Sequence, residues 1–143
     1  MKKFFVINGP NLNLLGKREP EKYGNLSLES LERLIKDRFP EVEFEFFQSN
    51  IEGELIDQIH KCGKEKATGL ILNPGGFSHN SVSIHDAIKA LEVPVVEVHL
   101  TNLSTRENFR QNLMTGSACL SIIQGGGAQA YLSAVFLLTS LEK

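Results

Sequence analysis

The feature that most constrains this chain is a regular alternation of short apolar segments with amphipathic segments of helical period. Five apolar runs are separated by stretches in which apolar residues recur every three or four positions. This alternation favours one parallel sheet with helices on both faces, because right-handed crossovers place each helix against the sheet. The 143 residues leave room for a single domain, which we assign to residues 1–143.

The turn-forming residues between these segments set the boundaries of the predicted elements. The predicted strands cover residues 3–7, 42–46, 69–72, 95–100 and 120–123, and the predicted helices cover 27–39, 55–63, 84–91, 105–114 and 128–141. Together they predict a three-layer α/β fold, a flavodoxin-like five-stranded parallel sheet of order 2-1-3-4-5. The segment from Asn8 to about Asn25 is long enough to predict a functional lid.

Composition excludes several classes of protein. With Lys+Arg 15 against Asp+Glu 17, the chain has no basic surface for a nucleic acid or an anionic membrane. The apolar run at 4–7 is too short for a signal peptide or a membrane span. Cys62 and Cys119 lack any paired spacing, which favours two buried reduced thiols in a cytoplasmic protein over a disulfide or a zinc site.

Polar residues cluster at the predicted carboxyl ends of the strands, where open α/β sheets bind ligands. Asn8 and Asn11 follow the first strand, Asn73 follows the third, and Thr101 and Asn102 follow the fourth. Turn capping is the alternative for each asparagine taken singly. Their concurrence at one sheet edge favours a ligand site.

The fourth strand carries a carboxylate and an imidazole inside an apolar run. Glu97 and His99 are two positions apart, so their side chains project to the same side with Cα atoms about 7 Å apart. A carboxylate beside an imidazole fixes its tautomer and suits it to proton transfer. We therefore predict that His99 is a general acid. The alternative is a core histidine satisfied by a glutamate.

Two further clusters of charged residues have open interpretations. In the predicted lid, Arg18 could lower the pKa of Tyr23, ordinarily about 10, and so make it a base, although a solvated charged loop is the alternative. Arg106 and Arg110 would share one face of the predicted helix 105–114 and bind an anion. Salt bridges to Glu107 would explain them equally well.

Three weaker patterns do not indicate a cofactor. Residues 125–130 match a loose dinucleotide pattern, but they follow the last strand and predict a tight strand-to-helix turn. His79, His85 and His99 lack a compact metal-ligand spacing. No lysine lies inside an apolar strand, so Schiff-base chemistry has no candidate.

Taken together, the motifs resemble the type II dehydroquinase family. The most specific block is NGPNLNLLG at 8–16, followed by Arg18-Glu19-Pro20 and Tyr23-Gly24. Further matching blocks are Gln48-Ser49-Asn50, residues 52–55, Asn73-Pro74-Gly75, His79, Ser81-Val82, Asp86, residues 97–100, Asn102, Arg106-Glu107 and Phe109-Arg110. The resemblance covers nearly the whole chain.

The resemblance implies a cofactor-free and metal-free trans-dehydration of 3-dehydroquinate in the shikimate pathway. It implies catalytic roles for Tyr23 as base, Arg18 as its activator, Asn11 as holder of a water, and His99 with Glu97 as acid. It implies substrate contacts from Asn73, His79, Asp86, Leu100, Thr101 and Arg110. Asp86 would reach a neighbouring subunit, which implies trimers assembled into a dodecamer.

The chain differs from the commoner family pattern at a few positions. His85 stands where an arginine is common, Thr101 replaces a serine, residues 111–116 diverge, and 128–130 lack a frequent glycine. These differences bear on the pocket and the interface between subunits. The competing prediction is a non-catalytic flavodoxin-like binding or regulatory module. A phospho-receiver would need acidic residues where this chain has Asn8 and Asn73.

Overall fold

One parallel sheet forms the centre of the computed structural model, which describes residues 1–17 and 26–141. Its order within the described chain is β2-β1-β3-β4-β5, and every neighbouring pair is parallel, which confirms the predicted topology. The strands are β1 (Lys3–Asn8), β2 (Glu43–Gln48), β3 (Gly69–Asn73), β4 (Val95–His99) and β5 (Ser121–Gln124).

Helices cover both faces of this sheet. They are α1 (Leu28–Arg38), α2 (Glu52–Lys64), α3 (Val82–Lys89) and α4 (Gln129–Ser140). Ser27, the first residue of the predicted helix, is the N-cap of α1: its hydroxyl accepts a hydrogen bond from the Ser30 backbone N–H in a reciprocal cap. No helix within the described residues has both the length and the apolar character that a membrane span requires.

The central strands are apolar at successive positions because both of their faces are buried. Phe4 and Val6 pack with α1 and α4 on one face, whereas Phe5 and Ile7 pack with α2 and α3 on the other. All four side chains are 0% exposed. The two apolar layers fix the strand register, so the carboxyl ends of β1, β3 and β4 meet at one edge.

The predicted helix at 105–114 is wrong. The chain instead forms 3-10 turns at Leu103–Thr105, Asn108–Gln111 and Gly116–Ala118. Side chains take the place of a helical ladder here: the Gln111 amide donates to the carbonyl oxygens of Leu103, Arg106 and Glu107. Each strand also differs from its predicted bounds by one or two residues; β4, for example, ends at His99 and β5 covers 121–124.

The two other loop predictions have different outcomes. Gly125, Gly126 and Gly127 have φ of 89°, 80° and 64°, a left-handed run that confirms the tight turn. The segment after β1 starts with a 3-10 turn at Leu12–Leu14. Residues 18–25 of the predicted lid lie outside the described residues.

Candidate active site

A pocket of about 160 Å³ opens at the carboxyl edge of the sheet, where the strand order reverses between β1 and β3. Its lining comes from the loops that follow β1, β3 and β4. Among the lining residues are seven that the sequence singled out as site residues: Asn11, Asn73, His79, His99, Leu100, Thr101 and Arg110.

Glu97 and His99 form a buried pair at the base of this pocket. The His99 ring donates from Nε2 to Glu97 Oε2 at 2.7 Å, which confirms that the two side chains project to the same side. Glu97 is 0% exposed and His99 is 6% exposed. The other carboxylate oxygen, Oε1, accepts the Thr115 hydroxyl at 2.5 Å. With Nε2 engaged, Nδ1 is the ring nitrogen of His99 that a ligand can use.

His79 lies beside His99 with its ring nearly parallel. The two ring centroids are 6.5 Å apart and the planes differ by 20°. Nδ1 of His79 donates to the Asn112 carbonyl at 2.8 Å, and the Asn112 amide donates back to the His79 carbonyl at 2.9 Å. This reciprocal pair holds the ring and leaves its Nε2 for a ligand.

A tyrosine that the sequence analysis missed holds the asparagines below the pocket. The Tyr131 hydroxyl donates to Asn8 Oδ1 at 2.5 Å and accepts from Asn73 Nδ2 at 2.9 Å. Asn73 Oδ1 accepts the Gly75 N–H at 3.1 Å. Asn8 therefore supports the site from below, and of these two asparagines Asn73 alone lines the pocket. Complete burial raises the pKa of Tyr131, so its hydroxyl stays protonated.

Removal of this hydroxyl should both destabilise the fold and loosen the pocket. Tyr131→Phe would leave buried polar atoms of Asn8 and Asn73 without a partner, so we expect the free energy of unfolding to fall by about 2 kcal/mol. KM should rise because Asn73 loses its orientation. Urea denaturation and steady-state kinetics measure both effects. An unchanged unfolding midpoint would show that this network contributes no stability.

The turn after β1 places Asn11 at the pocket. Asn11 has φ 71°, and its backbone N–H donates to Asn50 Oδ1 at 2.9 Å. The Gln48 amide donates to the Gly9 carbonyl at 3.1 Å. A Cβ at Gly9 would lie 2.5 Å from the Pro74 carbonyl oxygen, so glycine alone allows the two loops to approach this closely.

Both interpretations of the arginines have a counterpart in the structure. Arg106 and Arg110 line the pocket, although they lie on successive turns and not on one α-helical face. Arg110 Nε also donates to Glu107 Oε1 at 2.7 Å, and Arg106 Nε lies 3.6 Å from the same oxygen. Arg106 donates to the Thr101 hydroxyl at 3.0 Å. The two arginines together carry one more charge than Glu107 neutralises, so the cluster keeps a net positive charge beside the pocket.

Asp86, a predicted site residue, is not among the described residues that line this pocket. Asp86 lies on α3 with a side chain 72% exposed, next to His85. Arg18 and Tyr23 lie outside the described residues.

Among residues 1–17 and 26–141, no three His, Cys, Asp or Glu side chains form a group that could hold a metal ion. Cys62 is buried as predicted, whereas Cys119 is half-buried, and neither is in a disulfide.

Comparison with known proteins identifies the family. The family model for class II dehydroquinases matches residues 2–139. The chain belongs to the class II dehydroquinases. Among dehydroquinase relatives, a 3-dehydroquinate dehydratase of Caldicellulosiruptor bescii is 48% identical over 143 residues, which are 99% of each chain. The corresponding protein of Fusobacterium nucleatum is 50% identical over 141 residues and 95% of each chain.

A solved dehydroquinase structure has the same fold. The crystal structure of the type II dehydroquinase from Butyrivibrio crossotus superposes with a TM-score of 0.94 at 38% sequence identity, over 96% of this chain and 97% of that one. The five-stranded parallel sheet and its flanking helices are therefore the dehydroquinase architecture.

Proposed function

We propose that this chain is a hydro-lyase that removes water from 3-dehydroquinate by trans elimination, giving 3-dehydroshikimate through an enolate in the shikimate pathway. Family membership and the relatives' shared activity support this function. The observation that carries it is the buried Glu97–His99 pair at the base of a polar pocket. Residues 1–143 then make up one catalytic domain.

His99 acts as the general acid in this scheme. The Glu97 carboxylate accepts from Nε2 and stabilises a protonated ring, so Nδ1 carries the proton toward the pocket. That proton goes to the departing hydroxyl, which leaves as water while the electrons of the enolate form the new carbon–carbon double bond. The neutral ring then regains a proton from solvent.

Tyr23 acts as the base that removes the proton beside the ketone. A cation next to a phenol favours its ionised form, and Arg18 supplies that cation in the motif shared with the family. Asn11 holds a water against the enolate oxygen, where a preformed hydrogen bond stabilises the developing charge. No metal or organic cofactor takes part.

The remaining pocket residues bind the substrate. Arg110 contributes positive charge for an anionic group, and the Thr101 hydroxyl and Leu100 lie on the loop beside it. Both groups of the Asn73 amide are held by the protein, and its second Nδ2 N–H is the donor left for a ring hydroxyl. Nδ1 of His79 is held by the protein, and its Nε2 is left for a ring hydroxyl. This arrangement suits a small, hydroxylated carboxylic acid.

Asp86 completes the site of a neighbouring subunit in a dodecamer of trimers. It is exposed and lies outside the pocket of its own chain, so a contact with substrate requires a second copy. Asp86→Asn is expected to lower kcat/KM about tenfold, the usual scale for one charge-assisted hydrogen bond. Kinetics and light scattering together would separate this loss from disassembly.

Asp57→Asn, at an exposed aspartate of α2, is the matched control and should leave kcat/KM unchanged. Wild-type kcat/KM in Asp86→Asn would exclude the proposed contact. We also propose that the enzyme is cytoplasmic, which is supported by Cys62 and Cys119, since neither is in a disulfide.

The test of the function is an assay on metal-free protein, with and without borohydride treatment. Absorbance of the conjugated enone reports product directly. Equal activity in both samples is expected, because elimination through an enolate needs no imine. Loss of activity after borohydride would overturn the mechanism. A protein inactive in both samples would indicate the non-catalytic flavodoxin-like alternative.

A further inference from the structure

Thr115 is the third member of a buried chain of hydrogen-bonded groups that ends in the pocket. Its hydroxyl donates to Glu97 Oε1 at 2.5 Å, and Glu97 Oε2 accepts from His99 at 2.7 Å. The Thr115 side chain is 0% exposed, so no water competes for the carboxylate oxygen. Each oxygen of Glu97 therefore has a separate donor, and the plane of the carboxylate is fixed by both.

The backbone around Thr115 is held as firmly as its side chain. The Thr115 N–H donates to the Ser78 carbonyl at 3.2 Å, and the Thr115 carbonyl accepts from the Ala118 N–H at 3.0 Å. A Cβ on Gly116 would lie 2.3 Å from Ile122 Cδ1 and 3.4 Å from Glu97 Oε2. This close packing prevents the threonine from turning away from the carboxylate.

These contacts also connect the two histidines of the pocket. Ser78, which accepts from Thr115, belongs to the same 3-10 turn as His79 (Gly75–His79). His79 stacks on His99, and the Nε2 atom of His99 donates to Glu97. A change at Thr115 can therefore reach the acid through Glu97 and reach the neighbouring ring through Ser78.

We propose that Thr115 is a positioning residue for the general acid: its hydroxyl locks Glu97 in the rotamer that orients His99 toward the leaving hydroxyl. The inference rests on the proposed acid role of His99. The threonine itself does not touch the pocket.

Two substitutions separate the hydroxyl from the shape of the side chain. Thr115→Val keeps the volume and removes the donor, whereas Thr115→Ser keeps the donor. Thr115→Val is expected to lower kcat for dehydration roughly 10- to 100-fold, because a carboxylate loses a charge-assisted hydrogen bond. KM should stay within about twofold, since substrate contacts remain in place. Exchange of the proton beside the ketone with deuterated water should continue at the wild-type rate.

The controls distinguish positioning from a general loss of structure. Thr115→Ser should recover most of kcat. Thr68→Val removes a hydroxyl that accepts from the Lys3 backbone N–H at the amino ends of β1 and β3, away from the pocket. This variant should leave kcat unchanged. Wild-type kcat in Thr115→Val, or equal losses in the valine and serine variants, would overturn the proposal. A parallel fall in proton exchange would do the same.

A measurement on the unaltered protein covers the case in which Thr115→Val does not fold. The Thr115 hydroxyl proton should be protected from exchange with water and give a distinct low-field NMR signal, coupled to the Glu97 carboxyl carbon. A hydroxyl proton that exchanges freely would refute the contact. Failure of the function itself gives a different result, because wild-type protein would then lack dehydration or His99→Ala would retain it.

Discussion

Substitution of Tyr23 by phenylalanine is expected to lower kcat about 1,000-fold or more while substrate still binds. General base catalysis contributes roughly 10²- to 10⁴-fold, and phenylalanine keeps the ring but has no oxygen to accept the proton. Proton exchange beside the ketone should fall in step with dehydration, because both require the same abstraction. Steady-state kinetics, exchange into deuterated water, and calorimetric titration of substrate measure the three quantities.

The adjacent arginine provides the control for this substitution. Arg18→Lys retains a positive charge near the phenol and should lose less activity than Arg18→Gln, because the charge favours the phenolate. Neither variant should reach the loss seen in Tyr23→Phe. Near-normal turnover in Tyr23→Phe would remove Tyr23 from the role of base and assign the abstraction to another residue.

His99→Ala should also lower kcat for dehydration by about 1,000-fold, but it should retain proton exchange beside the ketone. The expectation follows from the proposed mechanism, in which the enolate forms before the hydroxyl leaves and only the second step uses the acid. The substitution leaves Glu97 buried without its histidine partner, so some loss of stability is expected as well. Exchange and enone formation can be followed in one NMR experiment.

His60→Ala is the matched control because His60 is exposed on α2, on an element that contributes no residue to the pocket lining. It should retain both exchange and dehydration. If His99→Ala loses exchange together with dehydration, then His99 takes part in forming the enolate, and its assignment as the acid for the leaving group is wrong.

The position of the site followed from the sequence through strand periodicity. Alternating side chains in 95–99 required Glu97 and His99 to share a side, and the structure has their side chains 2.7 Å apart. The ends of parallel strands must meet at one edge, which brought Asn73 and Asn11 to the same pocket as His99. The alternation of side chains along a strand and the parallel order of the strands are sufficient to predict these positions.

Local patterns were insufficient where side chains replace backbone partners. The stretch 105–114 has helical spacing, yet the Gln111 amide binds the carbonyls that a helix would need, and short turns form in its place. Arg106 and Arg110 still line the pocket, although they do so from two successive 3-10 turns and not from one face of an α-helix. Helical propensity was therefore overridden by hydrogen bonds between one amide side chain and three nearby carbonyls.

The sequence by itself determined the doubly covered sheet, its strand order and the edge that holds the chemistry, because those depend on period and turn position. The tertiary structure alone decided which distant residues support that chemistry. Tyr131 is 123 positions from Asn8 and Thr115 is 18 from Glu97, and both hydroxyls are fully buried donors to site residues. Hydrogen bonds of this kind depend on helix and loop packing, which no local pattern encodes.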